Sequence, residues 1–190
     1  MKIGLYFGSF NPIHTGHLII ANHVLNEADI KKLWFVISPH NPLKPSASLL
    51  HENHRIRLVR MAIEDDNRMF ASNAEFDLPR PSYTIDTLTY LGEKYPDHEF
   101  SIIMGSDSFI NLPHWKNYTA IMENYSIIIY ERPGFPVEKN NLPGNISVLK
   151  APFLDISSTY IRTLIKENKS TMYLLPEKVR EAIEGAGYYR

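Results

Sequence analysis

The sequence predicts an α/β fold, an open and mostly parallel sheet with helices packed on both of its faces. Three observations lead there. Short apolar runs at residues 3–7, 32–37, 99–104 and 126–130 have the length and content of strands buried on both sides. Stretches of helical periodicity fall between most of them, and that alternation builds a parallel sheet. The residues richest in chemistry stand where strands end, namely Gly8, then His40 and Lys44, then Gly105. Open α/β sheets bind ligands beyond the carboxyl ends of their strands.

Taken in order, residues 3–7 form the first strand and 18–25 a helix, with Leu18, Ile19, Ala21, Val24 and Leu25 at helical spacing. Residues 32–37 are the second strand, followed by a loop whose Pro39, Pro42 and Pro45 forbid regular structure. A helix spans 52–65, with Ile56, Val59 and Ile63 on one face and Arg55, Arg57 and Arg60 distributed around it. Residues 69–76 read as a weaker strand stopped by Pro79 and Pro81, and Tyr83-Thr84 leads into a helix through Leu91. Strands at 99–104, 126–130 and 146–149 and helices at 118–122, 157–165 and 177–186 complete the chain. Residues 131–145 are a surface loop, since a strand follows them. At 190 residues the chain is expected to be a single domain, with a small helical part from about 157.

Composition narrows the function. A net charge of −1 argues against a large nucleic-acid-binding surface. Without cysteine, disulfides and thiolate metal sites are impossible. The first apolar run is broken by Gly4 and Gly8, so it reads as no signal peptide. No apolar segment approaches the roughly 20 residues that span a bilayer. The expectation is a cytoplasmic enzyme without a membrane or nucleic-acid partner, with a homo-oligomer left open.

Between the first strand and the first helix lies Gly8-Ser9-Phe10-Asn11-Pro12-Ile13-His14-Thr15-Gly16-His17. Gly8 lets a ligand approach the backbone, and Asn11-Pro12 forms a turn. Gly16 and His17 fall in the first helical turn, where unpaired N–H groups attract phosphate. His14 and His17, three apart, both face that turn. The second phosphate candidate is Ile156-Ser157-Ser158-Thr159-Tyr160-Ile161-Arg162. Here Ser158 is the expected N-cap, and Arg162 lies one turn on, so hydroxyls, N–H groups and a guanidinium converge on one anion. Gly105-Ser106-Asp107 is weak alone. Trp115 either packs in the core or stacks on a planar heterocycle. The N–H groups near Thr84 favour an anionic partner.

The first stretch resembles the G-x-F-x-P-x-H-x-G-H signature of the nucleotidyltransferase superfamily, and the second its I-S-S-[ST]-x-I-R motif. This implies a Rossmann-like nucleotidyltransferase fold. A related H-I-G-H element occurs in class I aminoacyl-tRNA synthetases, which are far longer. Tyr83-Thr84-Ile85-Asp86-Thr87, with Gly105-Ser106-Asp107 and the downstream Trp115, resembles the nicotinate-mononucleotide adenylyltransferases. The likeness runs from Ile3 to Arg162. The family's G-G-x-F-D-P is here Phe7-Gly8-Ser9-Phe10-Asn11-Pro12, and its contiguous P-P-H-K is spread over Pro39, His40, Asn41, Pro42, Leu43 and Lys44.

What the resemblance implies is transfer of the adenylyl group of ATP to nicotinate mononucleotide, with Mg²⁺ on the triphosphate. His14 and His17 would be catalytic. Gly8, Ser9, Phe10, Gly16, Gly105, Asp107, Ser157, Ser158, Thr159 and Arg162 would bind ATP. Lys44, Tyr83, Thr84 and Trp115 would bind the acceptor, with no metal held by the protein itself. The alternatives are an enzyme acting on nicotinamide mononucleotide or on pantetheine phosphate, and a non-catalytic nucleotide-binding regulator. A pantetheine arm needs neither a stacking ring nor carboxylate donors, and a dead regulator would have no need of both histidines and Arg162.

Overall fold

Period-two alternation sorts the strand residues onto two faces, and each face finds its own helices. The computed structural model describes residues 1–39, 49–138, 140, 142–152 and 154–190. Among these, six strands form one sheet: β1 (Lys2–Gly8), β2 (Lys32–Ile37), β3 (Met69–Ser72), β4 (Glu99–Gly105), β5 (Ser126–Tyr130) and β6 (Ile146–Leu149). The helices are α1 (Thr15–Glu27), α2 (Glu52–Ile63), α3 (Thr84–Lys94), α4 (Ser106–Ile110), α5 (Tyr118–Asn124), α6 (Ser158–Lys166) and α7 (Glu177–Ala186). On one face Tyr6, Phe35, Ile103 and Ile128 pack with Val24 of α1, Val59 of α2, Ile161 of α6 and Val179 of α7. On the other, Leu5, Val36, Ile102 and Ile127 pack with Leu88 and Leu91 of α3 and Ile121 of α5.

The sheet order is β3-β2-β1-β4-β5-β6, with every neighbouring pair parallel. The chain therefore moves outward from β1 through β3 and returns to place β4 against the free side of β1. That reversal is the switch point at which open α/β sheets bind ligands. The strand ends around it are Gly8, paired with Ile37, and Gly105, paired with Tyr130.

Several elements differ from expectation. β3 stops at Ser72 rather than 76, because the Ala74 N–H turns back to the Ser72 hydroxyl at 3.3 Å and Glu75 is drawn inside. β4 runs one residue past expectation to Gly105, and a short helix that periodicity does not mark, α4, follows it at once, with a single 3-10 turn at Leu112–His114. Arg55 has no exposed surface. Its guanidinium donates to the carbonyls of Leu50 (2.7 Å), Ser9 (2.5 Å), Ser38 (2.8 Å) and Pro39 (2.9 Å). One α2 side chain thus ties the segments after β1 and β2 together. Buried polar groups require partners of this kind.

Candidate active site

The turn after β1 is folded by its own side chains. Phe10 adopts φ 45° and swings its ring, only 3% exposed, back over Gly8. A Cβ on Gly8 would stand 2.8 Å from that ring, so glycine is required by the close approach. Phe10 then meets His17 edge-on at 5.1 Å and Phe35 at 5.3 Å. His14 is the N-cap of α1 and His17 its third residue. Their rings stack at 3.6 Å with 28° between planes. Gly16 leaves room for this, since a Cβ there would lie 3.1 Å from the His14 ring.

The two histidines differ electrically. His14 is 5% exposed, and its Nδ1 is buried with no hydrogen-bond partner among the described residues. Burial, reinforced by the Arg132 charge, pulls the His14 imidazole down to about 4, so it is neutral at pH 7. The Nδ1 of His17 accepts the His14 backbone N–H at 3.2 Å. A neutral His17 ring must then carry its proton on Nε2, which makes that atom a donor.

The first turn of α1 is less open than its sequence suggests. The Thr15 N–H donates to the Leu174 carbonyl and the His17 N–H to the His14 carbonyl, both at 2.9 Å. The expectation of a fully unpaired helix start is corrected accordingly. The packing of residues 171–175 against α1 supplies the acceptor that sequence periodicity does not show. A second correction concerns the later motif. The N-cap of α6 is Ser157, whose hydroxyl accepts the Tyr160 N–H at 3.2 Å. Ser158 instead donates to the Pro12 carbonyl at 2.9 Å. Arg162 donates to the Asn11 carbonyl at 2.8 Å and to the Thr159 hydroxyl at 3.3 Å. The start of α6 is thereby fastened onto the turn after β1, and Arg162 keeps further N–H groups for an anion.

These contacts enclose a cleft of about 380 Å³ beyond the ends of β1, β4 and β5. Gly8, Ser9, Phe10, His14, Gly16, His17, Asp107, Ser157, Ser158, Thr159 and Arg162 all line it. Gly105 stands behind: a Cβ there would overlap Asp107 Oδ1 and press on Arg132 Cδ at 2.9 Å. Tyr83, Thr84 and Trp115 do not line this cleft. Lys116, next to Trp115, bonds both oxygens of Asp86 at 3.0 and 2.9 Å, and its ammonium sits 4.8 Å from the centre of the Tyr83 ring. Trp115 is partly buried against the α3 face of the sheet. The start of α3 is held by Glu75, 2% exposed, which accepts the Ser82 hydroxyl at 2.7 Å and the Thr87 hydroxyl at 3.0 Å. His40 and Lys44 lie outside the described residues.

The sequence reading missed four residues that build the cleft. Arg132 lines it and pairs with Asp107 at 2.9 Å, and its backbone N–H is held by the Ser106 hydroxyl at 2.9 Å. Its position just past β5, beside the switch point, was the available signal. Arg55 shares the apolar face of α2 with Val59 and Ile63, an arginine where a hydrophobe was due. Tyr6 and Tyr130 read as strand residues, and nothing in the sequence shows that their hydroxyls meet.

A glycine- and histidine-bearing turn and a capped helix from opposite ends of the chain, joined beyond the strand ends of a parallel sheet, make an arrangement that suits a nucleotide. The chain belongs to the cytidylyltransferase-like family, which matches residues 5–164. Within it the chain falls among the nicotinate-nucleotide adenylyltransferases. It is 50% identical over 192 residues to a probable nicotinate-nucleotide adenylyltransferase of Flavobacterium johnsoniae, covering all of both chains. It is 43% identical to one so named from Bacteroides thetaiotaomicron, covering 96% of this chain and 91% of that one. The fold matches the Plasmodium falciparum nicotinic acid mononucleotide adenylyltransferase, solved with NaAD, at a TM-score of 0.84 and 22% identity over 99% of this chain and 97% of that one.

Proposed function

We propose that this protein transfers the adenylyl group of ATP to nicotinate mononucleotide, giving nicotinate adenine dinucleotide and pyrophosphate. The observation that carries this reading is the joining of the two phosphate motifs. Arg162 and Ser158 reach the carbonyls of Asn11 and Pro12 and so complete one cleft with His14 and His17. An acceptor phosphate oxygen attacks the α-phosphorus in line. The new bond forms as the bond to the β-phosphate oxygen breaks, and pyrophosphate leaves with that electron pair. The acceptor phosphate is already anionic at neutral pH, so positioning and charge stabilisation suffice. His17 Nε2–H is the donor to the α-phosphate oxygens as charge builds there. Neutral His14 fixes the His17 ring by stacking and presents its backbone N–H to Nδ1. Ser157, Thr159 and Arg162 hold the β and γ phosphates.

Among the described residues no group of three His, Cys, Asp or Glu side chains is arranged to hold a metal ion. In the cleft, the Asp107 carboxylate is paired to Arg132 through Oδ2, while Oδ1 is buried with no hydrogen-bond partner among the described residues. Mg²⁺ is read here as part of the substrate, carried on triphosphate oxygens and water, where it would offset phosphate charge.

The acceptor is read at the start of α3. Backbone N–H groups near Thr84 donate only, which suits a carboxylate, and Trp115 offers a stacking face. Against the amide, one donor meets another donor, a mismatch of about 1–3 kcal/mol. Nicotinate mononucleotide should therefore exceed the nicotinamide form at least ~10-fold in kcat/KM. Trp115→Ala should weaken both and leave their ratio within about threefold, because stacking is blind to the substituent. Equal kcat/KM for the two acceptors in the wild type would contradict the carboxylate pocket.

A further inference from the structure

We infer that Lys116 is a specificity-determining residue for the acceptor that acts through Asp86: its ammonium cancels the carboxylate in the first turn of α3 and so keeps that turn open to an anionic ring substituent. This rests on reading the acceptor at the start of α3.

That helix start lacks the side chain that usually closes one. Its N-cap is Tyr83, whose side chain makes no capping hydrogen bond. The N–H groups of Asp86 and Thr87 turn to the Tyr83 carbonyl at 3.0 and 3.2 Å. Those of Thr84 and Ile85 stand ahead of them, at the end where a helix has no partners of its own. Asp86 is the third residue of α3, and an acidic side chain there suits a reach back to the N-cap N–H. Such a carboxylate would place a negative charge where the acceptor must bring its own. Asp86 is engaged elsewhere. Both its oxygens accept from the Lys116 ammonium, at 3.0 and 2.9 Å.

The same ammonium lies 4.8 Å from the centre of the Tyr83 ring, so it meets the residues on both sides of Thr84. Lys116 follows Trp115 directly, and the ion pair therefore also ties the segment of the stacking ring to the helix start. Lys116 and Asp86 are each about half exposed, at 44% and 43%, so their pairing adds little to folding. Its consequence is for charge. With Lys116 present the pair is neutral as a unit. Without it a single negative charge stands two residues from Thr84, which repels a carboxylate and is indifferent to an amide.

The test is steady-state kinetics at low ionic strength with nicotinate and nicotinamide mononucleotides. The proteins compared are the wild type, Lys116→Met, Lys116→Arg and Lys116→Met/Asp86→Asn. Substitutions at such half-exposed positions should leave the melting temperature within a few degrees of the wild type. Lys116→Met should lower kcat/KM for the acid about fivefold or more, through the acceptor KM, and for the amide by no more than about twofold. The KM for ATP should stay within about twofold, since the change is at the other substrate. Lys116→Arg keeps the cation and should hold the acid-to-amide ratio within about twofold of the wild type. Removing both charges should bring that ratio back to within about threefold of the wild type. A lysine that merely braces the segment would weaken both acceptors alike, and an unchanged ratio in Lys116→Met overturns the inference. So does a double variant whose ratio stays as low as that of Lys116→Met, because Lys116 would then not act through Asp86. A wild type with equal kcat/KM for the two acceptors would instead remove the reading of the acceptor site on which the inference depends.

Discussion

His17 carries the sharpest prediction at the scale of single residues, because its tautomer is fixed by a backbone N–H and its protonated edge is a donor. His17→Ala should lower kcat by roughly 10²-fold or more with the fold intact, as for loss of a transition-state donor. Near-wild-type turnover would remove it from the mechanism. Arg162→Ala should also raise the KM for ATP, since a guanidinium on the β and γ phosphates acts in the ground state as well. A rise only in the acceptor KM would place Arg162 on the other substrate. His14 predicts a pH effect on stability. Its folded value is about 4 against an ordinary 6.5. Between these the unfolded chain binds the proton and the folded one does not, so stability present above 6.5 is lost as pH falls toward 4. The loss amounts to about 3 kcal/mol. Over that window the melting temperature of His14→Asn should fall less steeply than that of the wild type; parallel curves would contradict the assignment.

Among the elements, α2 and α6 brace the turn after β1 without being part of it. Arg55 spreads its planar fork over four carbonyls, a task that an ammonium cannot reproduce. Arg55→Lys should therefore lower stability by about 2 kcal/mol or more and weaken ATP binding. A variant of wild-type stability with wild-type affinity for ATP would show that the loop holds itself. The same contrast explains what the sequence discloses. Strand and helix positions follow from local periodicity, so β1, β2, β4, β5 and α7 are legible to within a residue or two. The two phosphate motifs are legible because each is a contiguous run. Long-range contacts are not. The Leu174 carbonyl on Thr15, the Ser158 hydroxyl on Pro12 and the carbonyl set of Arg55 join residues far apart in the chain. No spacing rule marks them. The N-cap shifted from Ser158 to Ser157 because Pro12 competes for the second hydroxyl.

For the molecule as a whole, the sheet order brings the ends of β1, β4 and β5 together, and the chain's chemistry collects at that edge. Tyr83, Thr84 and Trp115 stand outside the cleft. Because the anionic acceptor phosphate is itself the nucleophile in direct in-line transfer, no covalent adenylyl-enzyme is expected, and α-labelled ATP should leave no label on the denatured protein. Stoichiometric label would replace direct transfer with a two-step route. The most direct measurement is pyrophosphate release from ATP and Mg²⁺, with phosphorylated acceptors offered one at a time and the product identified by mass. Nicotinate mononucleotide should give pyrophosphate and nicotinate adenine dinucleotide in equal amounts, and far faster than nicotinamide mononucleotide or pantetheine phosphate. Faster turnover of pantetheine phosphate, or no pyrophosphate with any acceptor, would contradict the account.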